Sequence, residues 1–315
     1  MDVNNAFIYR PFAIERDFAA LVSLLHTVEL IDQSGEDVSE ATLREQLTWT
    51  GHNSALDRWV AYLPDSTSLV GYGAIFNAVN NDTTDLYIAV HPEWRQHSIG
   101  HELLSRLLIR ARQVGVKNVC AYANIQHSGA NAFLRMHGFE PVATYVRMAA
   151  SGLLEFPLPD IPAGFTIRSY DQIQQRDLFM EAVNRGYAGL WGHHQISNEG
   201  LMTWLPQLPL EGIFLLFAPD GSITGICRAQ ISAHLTSLRG IVTGLIDAPG
   251  VVPAYRNANL YLPLLLTTLH WLVSQSPASI ELEAWGEVPD VLAQYRALGF
   301  IPVQEEISYQ HPLVG

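Results

Sequence analysis

The sequence predicts an α/β fold (α+β, with a mixed sheet) carried twice along the chain. Three observations predict it. A signature returns at a fixed offset of 161. Val90-His91-Pro92-Glu93-Trp94-Arg95 recurs as Val251-Val252-Pro253-Ala254-Tyr255-Arg256, Leu103-Leu104 as Leu264-Leu265, Arg135 as Arg296, Gly138-Phe139 as Gly299-Phe300 and Pro141 as Pro302. Spacing kept without a gap over about fifty residues marks a duplicated unit. Strand and helix periods alternate in each half around a central hairpin, the pattern of a mixed sheet. Finally, Ser151 to Gly164 carries Pro157, Pro159 and Pro162, the composition of a stiff linker. The expected layout is a domain over 1–150, a linker over 151–164 and a domain over 165–315.

Each half opens on a short strand, Phe7 to Arg10 and Phe165 to Arg168. A helix follows, about Ile14 to His26 and about Asp171 to Arg185. The hairpins run Trp59–Leu63 into Leu69–Phe76 through Pro64-Asp65, and Ile213–Ala218 into Ile223–Ile231 through Pro219-Asp220-Gly221. Leu86 to Val90 and Gly244 to Asp247 are strands leading into the signature. A long amphipathic helix, Gly100 to Val114, and a strand, Val116 to Asn124, come next. Ser128 is an expected N-cap for a short helix ending at Gly138, with Asp290 and Gly299 as counterparts. A final strand closes each repeat.

Composition excludes several classes. Hydrophobic content is 48% and charged content 16%, which favours packed domains over disorder. Net charge is −13, Lys117 is the single lysine and no basic tract occurs, so no nucleic-acid partner is expected. The acidic balance suits solubility or attraction of a cationic substrate. Cys120 and Cys227 lie in apolar runs of different halves, as small core residues do. With no disulfide framework and no signal-peptide features over Met1 to Asn5, a cytoplasmic location is expected. The longest apolar run, Leu260 to Val273, is too short to cross a membrane and contains Pro263. The expected assembly is a monomer or homodimer.

The segment Arg95-Gln96-His97-Ser98-Ile99-Gly100 follows a strand and opens a helix. Unpaired N–H groups and the positive end of the helix dipole suit a phosphate or pyrophosphate there. Ser98 and Gly100 leave room for it, and Arg95 adds a charge. His97 and His101 stand four apart, but no carboxylate or cysteine is placed around them and no metal is expected. Gly71-Tyr72-Gly73 lies inside a hairpin strand, unlike a dinucleotide-binding turn. Trp191-Gly192-His193-His194 reads as pocket lining.

The pattern Arg95-x-x-Ser98-x-Gly100, with Asn124, Ala130, Phe133, Gly138 and Phe139 behind it, resembles the acyl-CoA signature of the GNAT superfamily of N-acetyltransferases. The resemblance extends over nearly the whole chain, twice. It implies acetyl-CoA as cosubstrate, held by Arg95, Gln96, His97, Ser98, Ile99, Gly100 and His101, by the backbone near Ala89 and Val90, and by Asn124 and Ala130. It implies a small-molecule amine or a peptide amine as acceptor. The tandem layout is similar to that of mycothiol synthase.

The two copies depart from the GNAT pattern in opposite ways. Copy one keeps the loop but has Leu134 where relatives often place a tyrosine that protonates the leaving thiolate. Copy two has that tyrosine, Tyr295, but places Tyr261 at the position of Gly100. Candidate bases are Tyr87, or Asp85 through water, in copy one, and Asp247 in copy two. Tyr145 or a water is the candidate acid in copy one. Three readings stay open: an N-acetyltransferase with acetyl-CoA in copy one, a mycothiol synthase-like enzyme active in copy two, and a non-catalytic acyl-CoA-binding protein.

Overall fold

The computed structural model describes residues 7–34, 36–47, 53, 55–64, 68–77, 82–191, 193, 195–198, 201–202, 205, 208–286 and 289–313. The chain forms two compact units, one of Met1–Val142 with Glu306–Gly315 and one of Ala143–Glu305.

The first unit runs β1 (Ile8–Pro11), α1 (Ile14–Asp32), α2 (Glu40–Leu47), β2 (Arg58–Tyr62), β3 (Leu69–Asn77), β4 (Thr83–Val90), α3 (Ile99–Val114), β5 (Asn118–Asn124) and α4 (Ser128–Met136). Strands β1 to β4 pair antiparallel in order, and β4 pairs parallel with β5. One face of the sheet packs Tyr72, Ala74 and Ala89 under Phe18, Leu21 and Leu25 of α1. The other packs Ile75, Leu86 and Val119 under Leu104 and Leu107 of α3. Gly71 and Gly73 permit that second layer: a Cβ on Gly71 would lie 2.6 Å from Ile99 and one on Gly73 2.8 Å from Leu107.

The start of α1 is fixed by a side chain four residues inside it. The Asp17 carboxylate accepts the Ala13 N–H at 2.8 Å and two Arg10 N–H groups at 2.6 and 2.7 Å. Burial pushes that carboxyl up, but these bonds outweigh it and hold it down at about 2.

The second unit repeats the plan. It comprises β7 (Thr166–Ser169), α5 (Arg176–Gly186), β8 (Ile213–Phe217), β9 (Ile223–Ile231), α6 (Ala233–Arg239), β10 (Thr243–Asp247), β11 (Gly250–Val251), α7 (Tyr261–Ser274), β12 (Ser279–Trp285) and α8 (Pro289–Ala297). Strands β7 to β10 pair antiparallel, β10 and β12 parallel, and β11 returns to β9.

The last strand of each sheet comes from the other half of the sequence. Strand β6 (Glu140–Ser151) lays Tyr145–Ser151 antiparallel on β12. Strand β13 (Ile301–Pro312) lays Glu306–Pro312 antiparallel on β5. The compact units therefore differ from the contiguous division that the repeat suggests. The two strands enter in the same register, with Tyr145 opposite Trp285 and Glu306 opposite Asn124. A shared register means that strand position alone does not tell which partner is taken.

Other expectations shift less. Helix α1 runs six residues beyond His26, to Asp32, and α2 and α6 join the expected elements. Ser128 is the first residue of α4, whose N-cap is His127 without a side-chain cap. Gly138 and Gly299 are left-handed, at φ 79° and 93°, as helix-ending glycines are. Residues 152–164 have no regular structure, but Phe156 stacks on Phe300 at 6.2 Å and His270 Nε2 meets the Pro157 carbonyl at 3.0 Å, so this stretch is part of the second unit. Asp65 of the first expected hairpin turn, and Met1 to Asn5, lie outside the described residues. Cys120 and Cys227 are both buried and free. Among the described residues no helix is long and apolar enough to cross a membrane.

Tyr309, in the exchanged part of β13, is fully buried, and its hydroxyl donates to Asn131 at 2.7 Å and accepts from Arg135 at 3.2 Å, both on α4. Tyr309→Ala removes the ring that seals the end of the first unit. A loss of about 3–5 kcal/mol is expected, the range for large aromatic truncations in a core, measured by urea unfolding.

Candidate active site

In the first unit β4 and β5 begin as paired parallel strands and then part. Their register ends at Leu86 opposite Ala121, while β4 stays on β3 as far as Val90 opposite Gly71. The stretch Tyr87 to Val90 thus keeps one edge paired and opens the other toward β5. Backbone polar groups on such an edge need a partner. The parting leaves a cleft that an extended ligand can line with hydrogen bonds.

At the end of the cleft stands the loop from Arg95 to Gly100. Gln96 and Ser98 both adopt left-handed backbone, at φ 65° and 61°. The first α3 bond is from the Glu102 N–H to the Ser98 carbonyl at 3.1 Å, so the amides of Ile99, Gly100 and His101 precede the helical ladder. Together with the dipole they form an anion site. Arg95 to Ser98 are exposed, and Ile99 is buried and anchors the loop. The missing Cβ of Gly100 would point between Phe133 of α4, at 3.4 Å, and Val90, at 3.9 Å. Ala130 is exposed on α4, and Asn124 caps its own turn by accepting the Gln126 N–H at 2.9 Å.

Arg95 braces this loop. Its Nε donates to the Val90 carbonyl at 3.2 Å, and its two terminal nitrogens grip Asp32 at 2.9 and 2.7 Å. Arg256 does the same job in the second unit: Nε donates to the Val251 carbonyl at 2.9 Å, and one terminal nitrogen reaches the carbonyls of Gly186 and Ala188. The shared arginine is thus explained by loop geometry in both copies. His97 Nδ1 meets the Arg95 carbonyl at 2.9 Å, and the His101 ring stacks on His137 with centroids 5.0 Å apart. Among the described residues no set of three metal-ligating side chains comes together.

The counterpart position in the second unit is buried. Tyr261 is 8% exposed and belongs to the same core cluster as Val251, Leu260, Val291 and the fully buried Tyr295. The phenol expected to obstruct the loop is buried in the core cluster of the second unit, whereas the matching Gly100 carries no side chain. The parallel pairing also runs one position further, to Asp247 opposite Glu283. Thr83 faces Asn118 in one unit and Thr243 faces Ser279 in the other, so these strands match at an offset of 160. The residue that restores 161 sits in the break between β10 and β11. Asp247 therefore stands where Tyr87 stands, and it is ion-paired with Arg228. A cavity of about 170 Å³ beside it is lined by Arg228, Gln230, Leu245 and Asp247.

The remaining sequence candidates are dispersed. Asp85 and Tyr87 share the α1 face of the first unit, where Asp85 accepts the Tyr122 hydroxyl at 3.2 Å. Burial, and then Glu36, raise the Tyr87 phenol well above its ordinary range, so it is a donor rather than a proton acceptor. Leu134 lies in the core under α4. Tyr145, expected as an acid for copy one, belongs to the second unit: its hydroxyl meets Glu283 at 3.1 Å and its ring packs on Trp285 at 4.3 Å. Of the Trp191 to His194 segment, Gly192 and His194 lie outside the described residues, and the His193 ring packs 5.7 Å from Tyr187.

Sequence reasoning missed Glu36, on the connection between α1 and α2. Its carboxyl shares a hydrogen bond with Tyr87. Its side chain is exposed. Burial first, then the charges of Glu29, Glu306 and Asp32, push it up to about 7 against the lowering effect of the Tyr87 bond. No periodic or motif signal marks it. The clue available was its place in the acidic stretch between two helices.

Two arginines doing one job in different surroundings separate two kinds of cost. Arg95 holds an exposed ion pair, and Arg95→Ala is expected to cost about 0–1 kcal/mol. Arg256→Ala strips donors from carbonyls inside the fold and is expected to cost about 1.5–3 kcal/mol. Urea unfolding of the two variants checks the order.

Comparison with known proteins places this architecture. The family model described as "Acetyltransferase (GNAT) family" matches residues 24–139. The mycothiol acetyltransferase of Nocardioides sp. is 25% identical over 310 residues, covering 91% of this chain and 97% of that protein. That of Tsukamurella paurometabola is 26% identical over 229 residues, covering 70% and 76%. Among solved structures, a GCN5-related N-acetyltransferase from Sphaerobacter thermophilus superposes with TM-score 0.75 at 20% identity, over 100% of this chain and 97% of that one. A tandem GNAT protein from the clavulanic acid biosynthesis pathway gives 0.65 at 16%, over 98% and 99%. The family match within the first unit and these full-length likenesses make this chain similar to the GNAT N-acetyltransferases, with the family's own match confined to residues 24–139.

Proposed function

We propose that this enzyme transfers an acetyl group from acetyl-CoA to the amine of a small-molecule acceptor, with acetyl-CoA bound by the first unit. The observation that carries the reading is the contrast at one position: Gly100 bears no side chain beside Val90 and Phe133, whereas the matching Tyr261 is buried in the core cluster of the second unit. The residues fit the cosubstrate. The amides of Ile99, Gly100 and His101, with the left-handed Gln96 and Ser98, suit its pyrophosphate, and the open edge from Tyr87 to Val90 suits the amides of its arm. When bound, acetyl-CoA supplies an activated acyl carbon. The protein's own part is to hold it against the parted edge, exclude water and take a proton from the acceptor. A backbone N–H on such an edge, aimed at developing oxyanion charge, is worth roughly 2.7–4 kcal/mol.

A small-molecule acceptor is supported by the names of the relatives, which are acetyltransferases for mycothiol. Those names also keep a second reading, with the active site in the second unit. Asp247, Arg228 and the cavity beside them favour it. The burial of Tyr261 and Tyr295 in the core cluster argues against acetyl-CoA there.

Gly100→Tyr recreates in the first unit what the second contains. Calorimetry is expected to show acetyl-CoA binding to the wild type with about one site per chain and a loss of at least a hundredfold in affinity in the variant, about 2.7 kcal/mol. Unchanged binding in Gly100→Tyr, with loss in an Asp247→Asn or Tyr295→Phe variant, favours the second unit instead.

A further inference from the structure

We propose that charge decides the strand exchange: buried carboxylates on β12 admit β6 through Arg147, and the neutral edge of β5 is left for β13. The inference is independent of the acetyltransferase reading. It concerns how the chain selects between two edges that take strands in one register.

Proximity in sequence favours the other choice. Only α4 lies between β5 and β6, whereas most of the second half lies between β6 and β12. Closing the shorter connection costs less chain entropy, and β5 is made before β12. Yet Tyr145–Ser151 lies on β12 and Glu306–Pro312 on β5. Adding 161 to Tyr145–Ser151 gives Glu306–Pro312, and adding it to Asn118–Asn124 gives Ser279–Trp285. Each position on one edge therefore has a counterpart on the other, and the two can be compared residue by residue.

The edges differ on one face. On β12, Ile280, Leu282 and Ala284 join the core cluster with α7, which leaves Glu281 and Glu283 on the opposite face. Glu281 is buried and accepts the Nε–H of Arg239, from α6, at 2.8 Å. Arg147 of β6, also buried, brings its Nε to 3.3 Å from the other Glu281 oxygen. It stands opposite Glu283, which the Tyr145 hydroxyl of the same strand meets at 3.1 Å. On β5 the counterparts of Glu281 and Glu283 are Cys120 and Tyr122. The counterpart of Arg147 is Ser308, fully buried opposite Tyr122.

A wrong pairing is costly in both directions. Arg147 in the place of Ser308 would be a buried charge with a thiol and a phenol where its carboxylates stand. Asp85, on the adjacent strand, is exposed and already accepts the Tyr122 hydroxyl at 3.2 Å, and an exposed ion pair is worth little. Strand β13 on β12 would set Ser308 opposite Glu283, take one of two arginines from the buried Glu281 and bring Glu306 onto a face that holds two carboxylates. Leaving a buried charge short of its partner is strongly destabilising. The observed pairing need not be strongly stabilising in itself. Arg147 Nε and Glu281 Oε2 are within ion-pair distance but make no hydrogen bond, and such a buried pair roughly offsets its own desolvation. Its effect lies in the penalty on the alternatives.

The experiment traps the pairing in the full-length chain. The parent protein carries Cys120→Ala and Cys227→Ala, with Val146→Cys, Ala284→Cys and Ala123→Cys. Val146 lies opposite Ala284, and Ala123 is the counterpart of Ala284 on β5. Position 146 can therefore bond to 284, which reports the observed pairing, or to 123, which reports the alternative. The protein is unfolded in urea, refolded and oxidised with glutathione, and mass spectrometry of its peptides gives the ratio of the two bonds. In the parent the 146–284 bond should dominate. Two charge variants are made in the parent. Arg147→Met with Arg239→Met and Glu281→Leu renders the site apolar, and Arg147→Ser with Ser308→Arg exchanges the two counterparts. Each should raise the share of the 146–123 bond about tenfold or more. The urea midpoint of the reduced apolar variant should stay close to that of the reduced parent, which separates lost discrimination from lost stability. A folded variant whose ratio stays within about twofold of the parent overturns the proposal. So does an apolar variant that loses stability yet keeps the parent ratio, since the charges then serve structure alone. If the exchange variant does not fold, the apolar variant decides by the same ratio.

Discussion

The parting of β4 from β5 after Leu86 is the constraint on which the first unit depends. A parallel pair that stayed closed would satisfy its own backbone and leave no edge for a ligand. The parting is held from both sides. On one side β4 remains on β3, which α3 can approach closely because Gly71 and Gly73 lack side chains. On the other, β5 is held by the exchanged strand, whose Tyr309 is buried under α4. With both strands anchored on their outer flanks, the inner flanks can stay apart without the sheet losing cohesion. The anion loop then follows from geometry, since α3 begins where β4 has turned away, with Arg95 tying the turn to Val90 and Asp32.

The second unit shows the same frame with the parallel pairing carried one position further. Asp247 lies opposite Glu283, and Tyr261 and Tyr295 belong to the core cluster. Its largest core cluster unites the sheet, α7 and α8. Where the first unit carries Gly100, the second packs Tyr261 into its core. Burial of one aromatic side chain is worth roughly 1.5–3 kcal/mol, so Tyr261 contributes to the stability of the second unit.

Much of this was legible in the sequence, for identifiable reasons. The 161-residue offset exposed the duplication because the signature, α3 and β5 repeat without insertion. Gly138 and Gly299 were readable as helix ends because a left-handed residue at that place is almost always glycine. Three things were not legible. The shift to 160 in β10 is hidden because the extra residue lies in a strand break next to a matched segment, where alignment by identity slides past it. The exchange of β6 and β13 is hidden because both strands enter in the same register. Glu36 is hidden because Tyr87 of β4 and Glu306, which act on it together with Glu29 and Asp32 of α1, are brought to it only by the fold.

The exchange also sets an order of events in synthesis. Strand β5 of the first unit emerges early, but its outer neighbour, Glu306–Pro312, is made after almost the whole second half. At about 5–20 residues per second, the edge of β5 waits on the order of ten seconds or more. Through that interval the first half carries an unpaired strand edge and an unsealed core, the features that invite pairing with another chain. The second unit has no such delay, because Tyr145–Ser151 is already available when β12 appears. The half that we propose binds acetyl-CoA is thus the half that finishes last, and it completes its sheet only after the second half has been made.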